Sequence, residues 1–287
     1  MKELITILLI SFATAPAAQE KISFLTPPSS PEASFTQQWT TGEIKIDYSR
    51  PLVRGRKIFG GLVPFDSLWR TGAGACSIIE LIEEKLIVGD KILNAGKYAL
   101  FTIPGEKEWI IIINADATLH GVFGYDSKKD VHRFNIQPVK TEKFYEAFTI
   151  ELSEITARGD GFLSLIWENT MVKIPLKSPV DEKTMADINT RLINNKEYNT
   201  ELLYQAANYY YSTGRDLKQA ATWAMEAEKA DKENFYYPNL LQKILADLKD
   251  YKSAIPVAKR AVVLGEKKNM TTAVTGLKKR IAEWENK

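Results

Sequence analysis

The chain has one cysteine, two histidines and no long apolar run beyond its N-terminal end. A single cysteine excludes an intrachain disulfide and any cysteine-rich metal centre. Two histidines exclude most histidine-based metal sites and leave little for a catalytic triad. No excess of either charge exists: 38 Lys and Arg stand against 36 Asp and Glu, a net +2. Composition therefore gives no reason to expect nucleic acid or an acidic membrane surface as partner. With 16 Gly and 12 Pro in 287 residues, collagen and long disordered tracts are also excluded. What remains is 45% hydrophobic and 26% charged, the mix of a globular protein that can bury a core.

Met1-Lys2-Glu3 precedes the apolar run Leu4 to Phe12, and small residues follow at Ala13, Ala15, Ala17 and Ala18. A charged start, an apolar stretch too short to span a bilayer and a small-residue zone predict a signal peptide over 1–18 and export to the periplasm or outside. No later segment is apolar enough for a transmembrane span.

Two grammars follow. Residues 19–177 read as short strands between turns: Glu43 to Tyr48 alternates, Gly89-Asp90 and Pro104-Gly105 turn the chain, and Phe162 to Trp167 follows Arg158-Gly159-Asp160-Gly161. This spacing predicts an antiparallel β-sandwich or jelly roll. Trp109 to Ile113 is apolar on both faces, as a central strand would be. Residues 178–287 change to a period of three to four, with stripes such as Leu217, Ala220, Ala221, Ala224 and Ala227. Shifted by 34, Asp216 falls on Asp250, Ala220 on Ala254, Ala224 on Ala258 and Ala227 on Ala261. That period predicts tetratricopeptide-like helical hairpins, with a capping helix around Thr271 to Trp284. Pro256 is expected early in its helix, where a missing amide costs least. Such helices are expected to pack on the β region or to meet a protein partner.

Chemistry is densest between Asp47 and Ala75. Arg50, Arg54, Arg56, Lys57 and Arg70 stand against Asp47 and Asp66, with Tyr48, Phe59, Phe65 and Trp69 interleaved. Guanidinium groups offer forked donors to carboxylate, phosphate or sulfate, and flat rings beside them can stack on a sugar. Tyr48, Arg50, Arg56, Trp69 and Arg70 are thus the candidate ligand-binding residues, for an anionic or sugar-like ligand. The other reading has these arginines paired with Asp47, Asp66 and backbone carbonyls, pinning the loop. No cofactor is implied. Thr71-Gly72-Ala73-Gly74-Ala75 lacks the Gly-Lys-Ser/Thr ending of a phosphate loop. His120 and His132, near Asp116, Asp126 and Asp130, match no standard metal spacing. No catalytic residue is assigned. Glu80, Glu83 and Asp126 leave open a hydrolase acting on envelope or polymeric carbohydrate, the alternative to a binding or interaction module.

Asp47-Tyr48-Ser49-Arg50-Pro51, Gly55 to Pro64, Trp69-Arg70-Thr71-Gly72-Ala73 and Gly96 to Gly105 resemble the exported bacterial family known as domain-of-unknown-function 2911. The resemblance covers roughly 30–176 and implies a secreted or periplasmic β domain, sometimes followed by helical repeats. Where that family usually has Asn after Trp-Arg-Thr-Gly-Ala, this chain has Gly74. The resemblance carries over no catalytic residue.

Overall fold

The computed structural model describes residues 26–83 and 85–286; the expected signal peptide, 1–18, lies outside the described residues. The strands are β1 (Glu32–Trp39), β2 (Gly42–Ser49), β3 (Ser77–Ile82), β4 (Leu86–Val88), β5 (Lys91–Leu93), β6 (Gly96–Ile103), β7 (Trp109–Asn114), β8 (Asp130–Ile136), β9 (Val139–Ser153) and β10 (Asp160–Lys177). They pair antiparallel in two sheets, one ordered β1-β2-β3-β6-β7-β8 and the other β5-β4-β10-β9.

Period-two alternation decides which side of each strand is buried. In β2, Ile44, Ile46 and Tyr48 turn inward while Lys45 and Asp47 turn out. Across the gap they meet Phe148 and Ile150 of β9 and Leu163, Leu165 and Trp167 of β10, in one apolar cluster. That shared core makes the pair of sheets a sandwich. Burying each Ile or Phe here contributes about 1.5–3 kcal/mol relative to leaving it in water.

β7 is apolar on both faces for a different reason on each side. Ile111 and Ile113 point into the sandwich, whereas Ile112 joins Phe101, Ala99 and Cys76 on the outer face. That outer face is roofed by Leu68 and by Leu119 and Tyr125, which belong to two long connections. Those connections carry the site described below.

Helices follow from Val180: α1 (Val180–Ile188), a π-helical stretch (Asn189–Asn194), α2 (Thr200–Ser212), α3 (Leu217–Ala230), α4 (Tyr236–Asp247), α5 (Tyr251–Lys267) and α6 (Thr271–Trp284). α3 and α5 begin 34 residues apart, each after an aspartate that caps it: Asp216 accepts from the amides of Lys218 and Gln219, and Asp250 from that of Ser253. The alanines at 220, 224, 227, 254, 258 and 261 are all fully buried, where a larger side chain would push neighbouring helices apart. Pro256 departs from expectation. It lies inside α5, past the first turn, so it removes a helical hydrogen bond rather than occupying a position that has none.

The two parts touch through the β9–β10 turn. Arg158 donates from Nε and Nη2 to the Thr213 carbonyl at 3.1 and 2.9 Å, placing a cation at the end of α2. Trp39 donates from Nε1 to the Gly159 carbonyl at 3.1 Å, and the Ser178 amide reaches the same oxygen at 2.8 Å.

Candidate functional site

The 27-residue connection between β2 and β3 (residues 50–76) closes one end of the sandwich. It is ordered by backbone pairing with both sheets. Val53 N donates to Glu146 O at 2.8 Å and Phe148 N to Pro51 O at 2.9 Å, fastening its start to β9. Trp69 and Thr102 exchange both backbone bonds, at 2.8 and 2.9 Å, fastening its end to β6. Between them, Phe59 and Trp69 sink into the core against Trp109, Phe148 and Trp167. The aromatic content of this loop therefore fills the end of the sandwich. A chain this long without secondary structure needs such anchors to stay ordered.

Each arginine meets a different fate. Arg50 is half-buried and donates to Phe148 O at 3.1 Å and Thr149 Oγ1 at 2.9 Å. Tyr48 is buried, its hydroxyl 3.4 Å from Ile150 O and its ring edge-on to Phe148. Neither reaches the cavity formed by the rest of the loop. That cavity, about 380 Å³, is lined by Arg54, Arg56 and Arg70, with Trp69 and Trp167 beneath and Leu62 and Val122 at its side. Of the five candidate residues, the structure brings Arg56, Trp69 and Arg70 together and adds Arg54.

These three guanidinium groups are held by backbone oxygen alone. Arg54 Nη2 donates to Ser29 O at 3.1 Å. Arg56 donates from Nε to Val53 O at 3.0 Å and from Nη2 to Leu52 O at 2.6 Å. Arg70 Nη1 donates to Gly74 O at 3.1 Å. Among the described residues none of them forms an ion pair with a carboxylate. The acids named as alternative partners are engaged elsewhere or absent from the cavity: Asp47 takes Lys45 at 2.9 Å and Ser34 at 2.5 Å, and Asp66 does not line it. Carbonyl dipoles fix the direction of a guanidinium without neutralising it. The result is a concave surface with positive charge and no acid in its lining.

The placement of Arg54 depends on backbone hand. Arg54 and Gly55 both have left-handed φ, +51° and +69°, which reverses the chain and returns Arg54 to the side of Arg56. Nothing in the residue spacing signals that reversal beyond the glycine itself. Gly74 is left-handed too, at +67°, with open space where a Cβ would stand. Asn is the next residue that tolerates this conformation, so the backbone here suits the resemblance's usual Asn as well as this chain's Gly.

The remaining acidic clusters are paired within the protein. His132 Nε2 lies 2.8 Å from Asp90 Oδ1, with burial holding its pKa below the usual imidazole value against the pull of that carboxylate. Asp116 pairs with Lys129 at 2.7 Å, and hydrogen bonds from Lys129 and Thr118 hold its carboxyl down at about 2. Asp130 accepts from Asn114 at 2.7 Å, Tyr125 at 2.6 Å and Arg133 at 3.0 Å. Among the described residues no three His, Cys, Asp or Glu side chains gather as a metal site would need. Glu80 pairs with Lys97 at 3.4 Å on the outer side of β3.

A larger hollow, about 880 Å³, lies between α3 and α5 over Leu241 and Leu245. Its lining mixes both signs of charge: Arg260 forks onto Glu228 at 2.6 and 2.9 Å, Lys267 reaches Glu233 at 3.5 Å, and Lys229, Lys232 and Asp250 stand beside them. Size favours this hollow, but electrostatics favours the smaller one for an anion, because its lining carries three guanidinium groups and no carboxylate, whereas Glu228, Glu233 and Asp250 line the larger. Among the described residues no helix is long and apolar enough to cross a membrane.

No curated protein and no solved structure matches the chain. The family model described as Protein of unknown function (DUF2911) matches residues 30–176, just over half the chain, taking in both sheets and the whole arginine loop. On that match the chain belongs to this family.

Proposed function

We propose that this is an exported binding protein whose β-sandwich takes a small anionic ligand, or an anionic group on a sugar, in the hollow of Arg54, Arg56 and Arg70. The observation that carries the reading is the set of guanidinium groups facing one cavity without a carboxylate in its lining. Each is pre-aimed by carbonyl oxygen, so little side-chain entropy remains to be lost when an anion arrives. A charge-assisted hydrogen bond is worth about 1.5–3 kcal/mol, enough for roughly tenfold or more in affinity per arginine engaged. Because the hollow is open, salt weakens the attraction.

Binding is preferred to turnover because the lining offers no carboxylate, imidazole or thiol to move a proton. In this reading the helices are a support, tied to the sandwich through Arg158 and the Thr213 carbonyl.

The test is a thermal-shift and calorimetric panel of phosphates, sulfates, carboxylates and acidic glycans on the full chain. A hit should be lost in Arg56→Ala and Arg70→Ala while the melting temperature of the free protein stays within a degree or so. Melting that collapses in both variants, with no ligand found for the parent, would assign these arginines to holding the loop.

A further inference from the structure

One side of the arginine hollow is apolar and wet. Leu62 and Val122 both line it and remain 47% and 46% exposed. Phe123, next along the chain, is 90% exposed, more than any other large apolar side chain among the described residues. Single exposed apolar residues are ordinary, but a group of them at the mouth of a charged cavity is a recognition feature.

The turn that carries two of them is rigidly placed. Gly121 and Gly124 have φ of +80° and +78°, and Tyr125 N closes the turn onto Val122 O at 3.3 Å. Upstream, Cys76 N donates to Leu119 O at 3.2 Å, and Ala75 bridges His120. Gly121 is itself buried against Arg70: a Cβ there would stand 3.0 Å from Arg70 Nη1. Downstream, Tyr125 packs edge-on to Phe101 at 5.2 Å between centroids. The glycine turn holds Phe123 outward, one residue from Val122 in the lining of the arginine hollow.

Resting on the reading of this hollow as an anion site, we propose that its ligand is an amphipathic anion. The phosphate-like or carboxylate head sits among Arg54, Arg56 and Arg70, and an apolar chain or ring leaves across Leu62 and Val122 beneath Phe123. A wholly polar anion leaves this rim uncovered, and a neutral amphiphile leaves the guanidinium groups unused. The cavity volume, about 380 Å³, suits a head and a few carbons, with the remainder lying on the rim.

The experiment is calorimetry on the full chain with inorganic phosphate, then methyl, butyl, hexyl and octyl phosphate, each below its micelle concentration. Affinity should rise about two- to fourfold per methylene that reaches the rim, then level off. In Phe123→Ser and Val122→Ser that rise should flatten, and in Arg70→Gln every member of the series should weaken about tenfold or more. Phosphate and octyl phosphate bound equally by the parent would overturn the amphiphile and leave the anion site standing. No Arg70-dependent binding of any member would overturn both. Sedimentation with phosphatidylglycerol vesicles, without binding of monomeric octyl phosphate, would transfer the apolar rim to membrane docking and overturn a cavity ligand.

Discussion

The indole of Trp69 lies nearly parallel to that of Trp167, 5.9 Å between centroids and 17° between planes. One ring comes from the arginine loop and the other from the middle of β10, so the stack fastens the loop to the sandwich at the floor of the hollow. Trp69 Nε1 also donates to Gly72 O at 3.1 Å, which shapes the turn on which Arg70 sits. Trp69→Ala should cost about 3–5 kcal/mol, as large aromatic truncations in cores do. Trp69→Phe keeps part of the stack and loses the Gly72 bond, and should cost less. Urea unfolding of both variants measures the order; equal, small losses would show that the loop does not depend on this contact.

Two glycines of the same loop should respond unequally to substitution. At Gly60, φ is +75° and a Cβ would stand 2.4 Å from the Phe65 ring, so Gly60→Ala combines backbone strain with a clash. The expected loss is about 1–3 kcal/mol. At Gly74 the space is open and Asn tolerates the conformation, so Gly74→Asn should change stability by under about 1 kcal/mol. Thermal melting of the pair distinguishes strain plus contact from strain alone.

The strands that can be read from residue pattern are those with one clean apolar face or with both faces buried. β2 alternates over Glu43 to Tyr48, and β7 shows its double burial as an unbroken run from Trp109 to Ile113. β1 and β8 give no such signal. Both are edge strands, and sequences such as Asp130-Val131-His132-Arg133-Phe134-Asn135-Ile136 carry polar groups toward solvent, which guards the edge and hides the alternation. The site divides in the same way. The density of arginine and aromatic residues marks the right loop, but which arginine reaches the cavity depends on left-handed residues and on carbonyls from β9. Those are tertiary facts. Val122 joins the site only because the connection after β7 and the arginine loop roof the same outer face.

Cys76 should be slow to modify. It is buried, and burial pushes its thiol pKa above the ordinary value, reinforced by the charge of Asp116. The thiolate is the reactive form, so both access and ionisation oppose reaction. Ellman's reagent at pH 8 should label the native chain far more slowly than the same chain in denaturant. Rapid native labelling would place Cys76 in an opening segment and call for a looser fit between the loop and the outer face of the sheet.

At the start of the helices, Asp181 takes both its oxygens to Arg215 Nη2, at 2.5 and 2.8 Å, and accepts the Tyr209 hydroxyl. Burial raises the Asp181 pKa, but the hydrogen bonds from Tyr209 and Arg215, with the charges of Arg215 and Arg158, outweigh it and leave it below the ordinary value. Tyr209 is pushed the other way, to about 12, by burial and then by its bond and proximity to Asp181. The signs set a window. A carboxyl held low in the folded state stabilises fully above its unfolded value of about 3.9 and loses that contribution as pH falls through the depressed value. A phenol held high stabilises fully below its unfolded value of about 10 and loses that contribution as pH rises through about 12. The advantage of the parent over Asp181→Asn should therefore be flat from about pH 5 to 9 and shrink below pH 4. Tyr209→Phe should lose its disadvantage on the alkaline side, and part of it below pH 4, because the Tyr209 bond is one of those that hold Asp181 low. Denaturant unfolding of the three proteins across pH reads both limbs, and a stability gap that stays constant into acid would mean that Arg215 does not hold Asp181 ionised.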